Sequence, residues 1–434
     1  MLAQAASALY DICDAWFLAR CSSAAVVASL PARMVAGTLT TLFICSIGYV
    51  ATFVAQFHGS GRERESVAAF AQGLWMSLLA SPVFLLLIPA SWLVIDLANH
   101  AAAVCEAEKA YLLVCAPGGV FQLLNVVLGG FFAGQGRTRC ISLCAIAGCL
   151  VNFAGDWALV LGAGPLPALG ISGAAIATVL GHAVQSALLG AAVFRTPLFR
   201  RHATWEVLRP RPGEMARILR HGVPTGVTAF ASSFAFTVFS LVLTGFELMS
   251  TNAAAAVFRA NNVFYMALCA VSDSVLILVG RRHGAGDDAA ARRAYAGGLR
   301  VVLVALALAF AAFFAFSDEV FDAFRGADAT YDAPAYHALG RRLLVIMLFR
   351  EAAEGVMCLT VGALRGAGDT RFVMWTQMAC DLGFWTPLVI CFGRLFPSLE
   401  ALWLSMPANL ALVAAILYAR WRGGKWCARR LTSD

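Results

Sequence analysis

Apolar residues run along this chain in blocks of roughly 20, separated by short charged or glycine-containing stretches. Period-two alternation, the mark of a membrane barrel, is absent. The blocks predict spanning helices over 1–19, 35–57, 68–95, 110–134, 140–162 and 171–194 in the first half. In the second half they predict 222–246, 257–280, 297–317, 341–364, 372–393 and 400–420. The expected fold is an all-α polytopic membrane protein with twelve transmembrane helices, the first one short. A basic leader and a small-residue cleavage site are both missing before the first block, so no cleavable signal peptide is expected.

Two pairs of turns repeat. Gly134–Arg139 reads GQGRTR and Gly366–Arg371 reads GAGDTR; upstream, FVAQFHGSG from Phe53 matches LVGRRHGAG from Leu278. Both matches keep their order, and each joins equivalent spans, so the chain reads as a duplication. Six spans per repeat is an even number. Both halves therefore enter the membrane in the same direction, as two six-helix bundles related by a pseudo-twofold axis along the membrane normal. The organisation expected is an N-terminal lobe over 1–194, a proline- and arginine-containing linker over 195–220, a C-terminal lobe over 221–421 and a basic tail over 422–434. Two parallel repeats suit alternating access and so a transporter.

Composition places the chain in lipid: 60% of residues are hydrophobic and 13% charged, against about 45–50% and about 25% in soluble domains. The net charge of +7 matters through its distribution. Most basic residues follow the even-numbered spans, including Arg62, Arg64, Arg137, Arg139, the arginines from Arg195 to Arg220, Arg281, Arg282, Arg365 and Arg371. The positive-inside rule then puts both termini in the cytoplasm, with the protein an integral multi-pass component of the plasma membrane. Charge spread along one membrane face argues against nucleic-acid binding. The partners expected are the lipid bilayer and a small amphiphilic or cationic substrate, with the chain acting as a monomer. The 13 cysteines lie mostly inside spans with no C-x-x-C pair, which fits small buried hydrophobes better than a zinc site or disulfides.

Charged groups inside spans are costly and need a reason. In LVNFAGDWALVLG, Asn152 and Asp156 are four apart and share a helical face. Asp156 lies six residues before Gly162, and Asp14 six before Arg20, each about 9 Å from the outer end of its span. Thr178, seven residues past Ile171, lies at a similar depth of about 10 Å. Asn152 sits one turn deeper on the Asp156 face, and two carboxylates, an amide oxygen and a hydroxyl would suit Na⁺. Close carboxylates in a poorly hydrated site would also hold a proton, since burial and a like-charged neighbour disfavour ionisation. The plainer reading is structural: an exposed Asp14 near a chain end, a neutral Asp156, and a Thr178 that glues helices. In the second half, Glu354 and Asp381 lie near the midplane. Arg350 is four residues before Glu354, so an intrahelical ion pair competes with a transport role there.

These residues carry a resemblance. The run YDICDAWFLARCSSAAVVAS from Tyr10, the stretch LVNFAGDWALVLG, the following LGISGAAIATV from Leu169 and the ALRGAGDTR turn resemble the multidrug and toxic compound extrusion (MATE) family. That family belongs to a superfamily shared with polysaccharide and lipid-linked precursor flippases. The resemblance covers nearly the whole chain. It implies twelve helices in two lobes and export of organic cations or amphiphilic drugs in exchange for Na⁺ or H⁺. It also implies an N-lobe cation site at Asp14, Asn152, Asp156 and Thr178, with no cofactor besides the coupling ion. Members usually carry about two more helical turns, with a proline, before the first-span Asp; here thirteen residues precede Asp14. Some members use a C-lobe site with acids on spans 7 and 10. Glu354 matches the second of these and Ser232 stands at the first, so coupling through the N-lobe is favoured, with Glu354, Asp381 and Arg350 as a possible C-lobe site.

Two other classes stay open. A lipid-linked saccharide flippase would be expected to face basic residues into its cavity, and only Arg350 lies well inside a span, away from its ends. A membrane-embedded enzyme would need a chemical constellation, and no H-E-x-x-H, D-D-x-x-D or G-x-S-x-G with a His partner occurs. An enzyme is not expected. A channel or receptor would not explain paired acids in one half.

Overall fold

The computed structural model describes residues 10, 13, 14, 16–18, 20, 37, 40–97, 102–162, 167–243, 245–324, 332–395, 397–428 and 431. Among these residues the structure is helical, with no strand. The first span, expected over 1–19, is described at Tyr10, Cys13, Asp14, Trp16, Phe17 and Leu18, all helical, and its remainder lies outside the described residues. The other spans in the first half are Thr40–Gly59, Glu63–Leu97, Ala102–Gly134, Thr138–Leu159 and Gly170–Arg195. In the second half they are Pro212–Leu243, Leu248–Gly284, Asp288–Phe324, Ala333–Gly366, an interrupted eleventh from Thr370 to Arg394, and Leu399–Arg422. Nine described helices are long and apolar enough to cross a membrane. The tenth falls outside that set by its charges, and the eleventh because a π-helical segment, Ala379–Trp385, interrupts it.

Several helices overrun the apolar blocks on the arginine-rich side. The third begins at Glu63, the seventh at Pro212 and the ninth at Asp288. Hydropathy reports the hydrocarbon layer, whereas helical hydrogen bonding continues until a cap stops it. On this side one cap recurs four times. Gly61, Gly136, Gly286 and Gly368 have φ of 74°, 79°, 80° and 95°. In each turn the glycine N–H donates to the carbonyl three residues back, and the next N–H to the carbonyl five back, as in Arg137 to Phe132 and Asp369 to Leu364. That is a Schellman cap, which needs a residue tolerant of the left-handed region. The repeated turn motif is thus a repeated helix stop.

The chain forms two compact units, Leu2–Gly226 and Val227–Asp434. Within the first, the fourth span packs on the second, third and sixth, and the fifth packs on the sixth. Within the second, the tenth span packs on the eighth, ninth and twelfth. Glycines set the closest approaches. A Cβ placed on Gly130 would come 2.9 Å from Ala51 Cβ, and on Gly134 3.0 Å from the Ala55 nitrogen. In the second unit a Cβ on Gly362 would come 2.5 Å from Ser272 O, and on Gly366 2.4 Å from Leu276 O. Each unit therefore seats its central span on an earlier one through a G-x-x-x-G stripe, where missing side chains let backbones meet.

The segment expected to link the lobes is folded onto the first unit. Thr196 caps a short helix, Pro197–His202, by accepting from Phe199 N at 3.4 Å. Trp205–Leu208 forms another turn, and the seventh span starts at Pro212. Buried Gln72 of the third span donates to Arg209 O at 3.1 Å and accepts from Arg211 N at 2.8 Å, while Trp75 Nε1 donates to Leu208 O at 2.8 Å. The described part of the C-terminal tail is also packed. Trp426 stacks on Trp421 with centroids 4.3 Å apart, and its Nε1 donates to the Trp421 carbonyl.

Apolar packing in the second unit divides into two cores. One gathers Phe239, Val257, Phe313, Leu348, Trp385 and Trp403; the other gathers Leu268, Val275, Met357, Val413 and Trp421. Along the tenth and twelfth spans, the buried polar residues Glu351, Glu354 and Asn409 fall between the stretches that supply the two cores.

Candidate coupling site

The first unit brings three of its four predicted residues into one hydrogen-bonded triangle. Asn152 Nδ2 donates to Asp14 Oδ1 at 3.0 Å and lies 3.4 Å from Thr178 Oγ1; Thr178 Oγ1 donates to Asp14 Oδ2 at 3.0 Å. Asp14 is buried, and Asn152 and Asp156 are fully so. Asp156 follows Asn152 by one turn of the fifth span, and both Asp14 and Asp156 lie within electrostatic reach of the Cys13 and Cys149 thiols. Asp14 is therefore not exposed, as the plainer reading of its position would have it.

Local sequence explains the convergence. A Cβ on Gly155 would come 2.8 Å from Ala177 Cβ, and one on Gly173 2.6 Å from Leu159 O. The fifth and sixth spans thereby approach closely enough for Asn152 to reach Thr178. Gly148 and Gly181 cradle Tyr10, one turn before Asp14; a Cβ on either would lie under 2.8 Å from its ring or hydroxyl. That ring stacks on His182 with centroids 4.9 Å apart. About one turn along the same spans, Phe17, Leu18, Val160, Ile171 and Ala174 join Tyr111 in a buried apolar cluster.

The oxygens gathered here belong to a carboxylate, an amide and a hydroxyl, a donor set that suits Na⁺-like ions or protons better than thiophilic metals. Asn152 spends its amide hydrogens on Asp14 and Thr178, yet its Oδ1 is buried with no hydrogen-bond partner among the described residues. Buried acceptors are rarely left so. A hard cation bound beside the Asp14 carboxylate would find that oxygen free to act as a ligand.

The possible C-lobe residues separate into two groups. Arg350 Nη1 lies 2.5 Å from Glu351 Oε1 and 2.6 Å from Glu354 Oε2, and Asn261 Nδ2 donates to Glu351 Oε1 at 2.9 Å. The expected Arg350–Glu354 ion pair is present, with Glu351 as a second carboxylate on the same guanidinium. Asp381 instead binds Ser232 and Asn409. Sequence reading passed over Asn261 and Asn409, although a buried carboxylate in a span requires a donor from another span.

A family model described as MatE matches residues 1–158 and 224–388. The chain is 30% identical over 389 residues to a probable multidrug resistance protein NorM of Deinococcus radiodurans, covering 87% of this chain and 84% of that one. It is 27% identical over 411 residues to a probable multidrug resistance protein NorM of Xanthomonas axonopodis pv. citri, covering 93% and 85%. Its fold is similar to that of a multidrug resistance MATE family transporter of the MOP superfamily solved in an outward-facing conformation. The TM-score is 0.85, with 17% identity, over 98% of this chain and 94% of the other. The span pattern, the paired caps and these similarities agree: the chain belongs to the MatE family of multi-span membrane transporters.

Proposed function

We propose that this protein is a secondary active antiporter that exports organic cations or amphiphilic drugs across the plasma membrane in exchange for H⁺ or Na⁺. The observation that carries the reading is the buried meeting of Asp14, Asn152 and Thr178 from three spans, with Asp156 one turn on. Ionisable groups at depth in a membrane protein mark ion pathways. The names of its NorM relatives support multidrug export as the activity.

In this reading the coupling ion binds the two carboxylates with Asn152 Oδ1 and Thr178 Oγ1. Binding one conformation more tightly than the other shifts the alternating-access equilibrium, and the shift is no larger than that difference in affinity. The arginine-rich face, with both termini, is cytoplasmic. Efflux of a fluorescent organic cation from proteoliposomes under an imposed H⁺ or Na⁺ gradient tests the proposal, comparing the original protein with Asp156→Asn. Gradient-driven efflux that disappears in the variant supports it and identifies the ion. Equal transport by both proteins removes Asp156 from the mechanism.

A further inference from the structure

The first unit holds a charged cavity apart from the Asp14 site, at the arginine-rich ends of the fourth, fifth and sixth spans. Its volume is about 660 Å³, within the usual range of ligand pockets, about 300–1,000 Å³. Arg137 and Arg139 come from the start of the fifth span, and Arg195 ends the sixth. Leu188 and Ala191 of the sixth span and Phe132 of the fourth supply an apolar wall. No Asp or Glu lines the cavity, and none of the three arginines is in an ion pair among the described residues.

The local backbone shapes this corner. Left-handed Gly136 stops the fourth span, and Thr196, extended at ψ 135°, turns the chain away from the sixth before Pro197 starts the next helix. The cavity lies between those two turns. Arg137 is the N-cap of the fifth span and makes no side-chain cap. The first N–H groups of that span therefore add the positive end of a helix dipole to the three guanidinium charges.

Comparing the repeats isolates the charge. GQGRTR and GAGDTR place Asp369 where Arg137 stands. There the twelfth span, the counterpart of the sixth, brings Arg420 Nε to Asp369 Oδ2 at 2.8 Å, and its guanidinium lies over the Phe372 ring. One repeat thus neutralises this corner with its own buried acid. The other gathers three like charges, whose mutual repulsion an external anion relieves.

The apolar wall selects the anion. Leu188 is 41% exposed although it lies within a span, so the cavity opens sideways onto lipid. It is also seven residues from Arg195, about 10 Å deeper into the hydrocarbon layer. A basic rim at the helix ends above a wall of that depth matches a headgroup phosphate with an acyl chain beside it. A free phosphate would use the rim alone. The absence of an acid disfavours the ammonium of a zwitterionic lipid.

We infer that this cavity binds the headgroup phosphate of an anionic phospholipid from the leaflet on the arginine-rich side. Arg137, Arg139 and Arg195 hold the phosphate, and Leu188 and Ala191 lie along an acyl chain.

Equilibrium binding of radiolabelled phosphatidylglycerol in detergent micelles to the purified, delipidated full-length protein tests the site without reference to transport. Unlabelled phosphatidylcholine of the same chain length and inorganic phosphate serve as competitors, and each variant is checked for helical content and monodispersity. Saturable binding is expected, with neither competitor displacing the label at equal concentration. Arg137→Gln combined with Arg195→Gln should weaken it by about tenfold or more, through loss of charge-assisted hydrogen bonds. Leu188→Asn leaves every charge in place and should also weaken it. Arg200→Gln combined with Arg201→Gln removes two exposed arginines outside the cavity and should leave binding unchanged. An equal loss in that control shows a diffuse basic surface and overturns the site. Displacement by equimolar inorganic phosphate shows free-anion binding and overturns the lipid assignment, as does phosphatidylcholine competing as well as unlabelled phosphatidylglycerol. Absence of saturable binding to the original protein overturns it as well.

Discussion

The glycine stripe on the tenth span makes a prediction whose sign the packing decides. Gly366→Ala adds one methyl group to a helix, which in open surroundings stabilises by about 0.5–1 kcal/mol through backbone entropy. Here the new carbon would lie 2.4 Å from Leu276 O and 3.1 Å from its carbonyl carbon. Those are backbone atoms of the facing helix, so no side chain can swing aside. The two spans must separate by roughly 1 Å, which forfeits a quarter to a half of the dispersion energy of their facing contacts. Overpacking of this kind costs about 1–3 kcal/mol, so the net effect is a loss of about 1–2 kcal/mol after the backbone gain. Gly190 and Gly297 are helical glycines with no atom within 4 Å of a Cβ, and alanine there should show the uncompensated gain. Thermal unfolding in one detergent, followed by a conformational probe, reads the three variants against the original protein. The melting temperature should fall for Gly366→Ala and hold or rise for Gly190→Ala and Gly297→Ala. A Gly366→Ala protein as stable as the Gly190→Ala protein would refute the close seating of the eighth and tenth spans.

Two further predictions concern polar contacts. Thr178→Val preserves shape but removes the donor to Asp14 Oδ2 and one oxygen of the proposed cation site. A hydrogen bond to a charged group is worth about 1.5–3 kcal/mol, so the coupling-ion concentration for half-maximal transport should rise by about tenfold or more, as measured in vesicle flux; an unchanged value removes Thr178 from the site. Gln72→Leu deletes both bonds that hold the segment around Arg209–Arg211 to the third span, and limited trypsin digestion should then cut at Arg209 or Arg211 before elsewhere. An unaltered cleavage pattern would show that the other contacts of the third span, Trp75 to Leu208 and Arg64 to Glu206, suffice to hold the strap.

Much of this architecture was legible because the relevant signals are local or periodic. Apolar block length reports the hydrocarbon thickness, and the H-G-x-G and G-x-G turns report a helix stop that needs a left-handed residue. Depth along three spans brought Asp14, Asp156 and Thr178 to one level with Asn152 one turn deeper, and it is Asn152 that the structure joins to Asp14 and Thr178. Depth alone says nothing about azimuth, so the partners of Asp381 were not visible: Ser232 stood out only for lacking a carboxylate, and Asn409 did not stand out. Proline content marked the linker over 195–220 but not its folding: Pro197 and Pro212 begin helices, where a missing N–H costs nothing. Charge marked the basic tail but said nothing of Trp426, which stacks on Trp421.

The antiporter reading is tested most directly from the side of the ion. Vesicles reconstituted with the protein are loaded with equal H⁺ and Na⁺ inside and out, and an outward gradient of the organic cation is imposed. Reciprocity of coupling requires substrate leaving the vesicle to drive the coupling ion inward, read by a lumenal pH dye or by ²²Na⁺ uptake. The account predicts ion entry that depends on substrate and is lost in Asp14→Asn and Asp156→Asn. Substrate that crosses at full rate with no accompanying ion movement would contradict it.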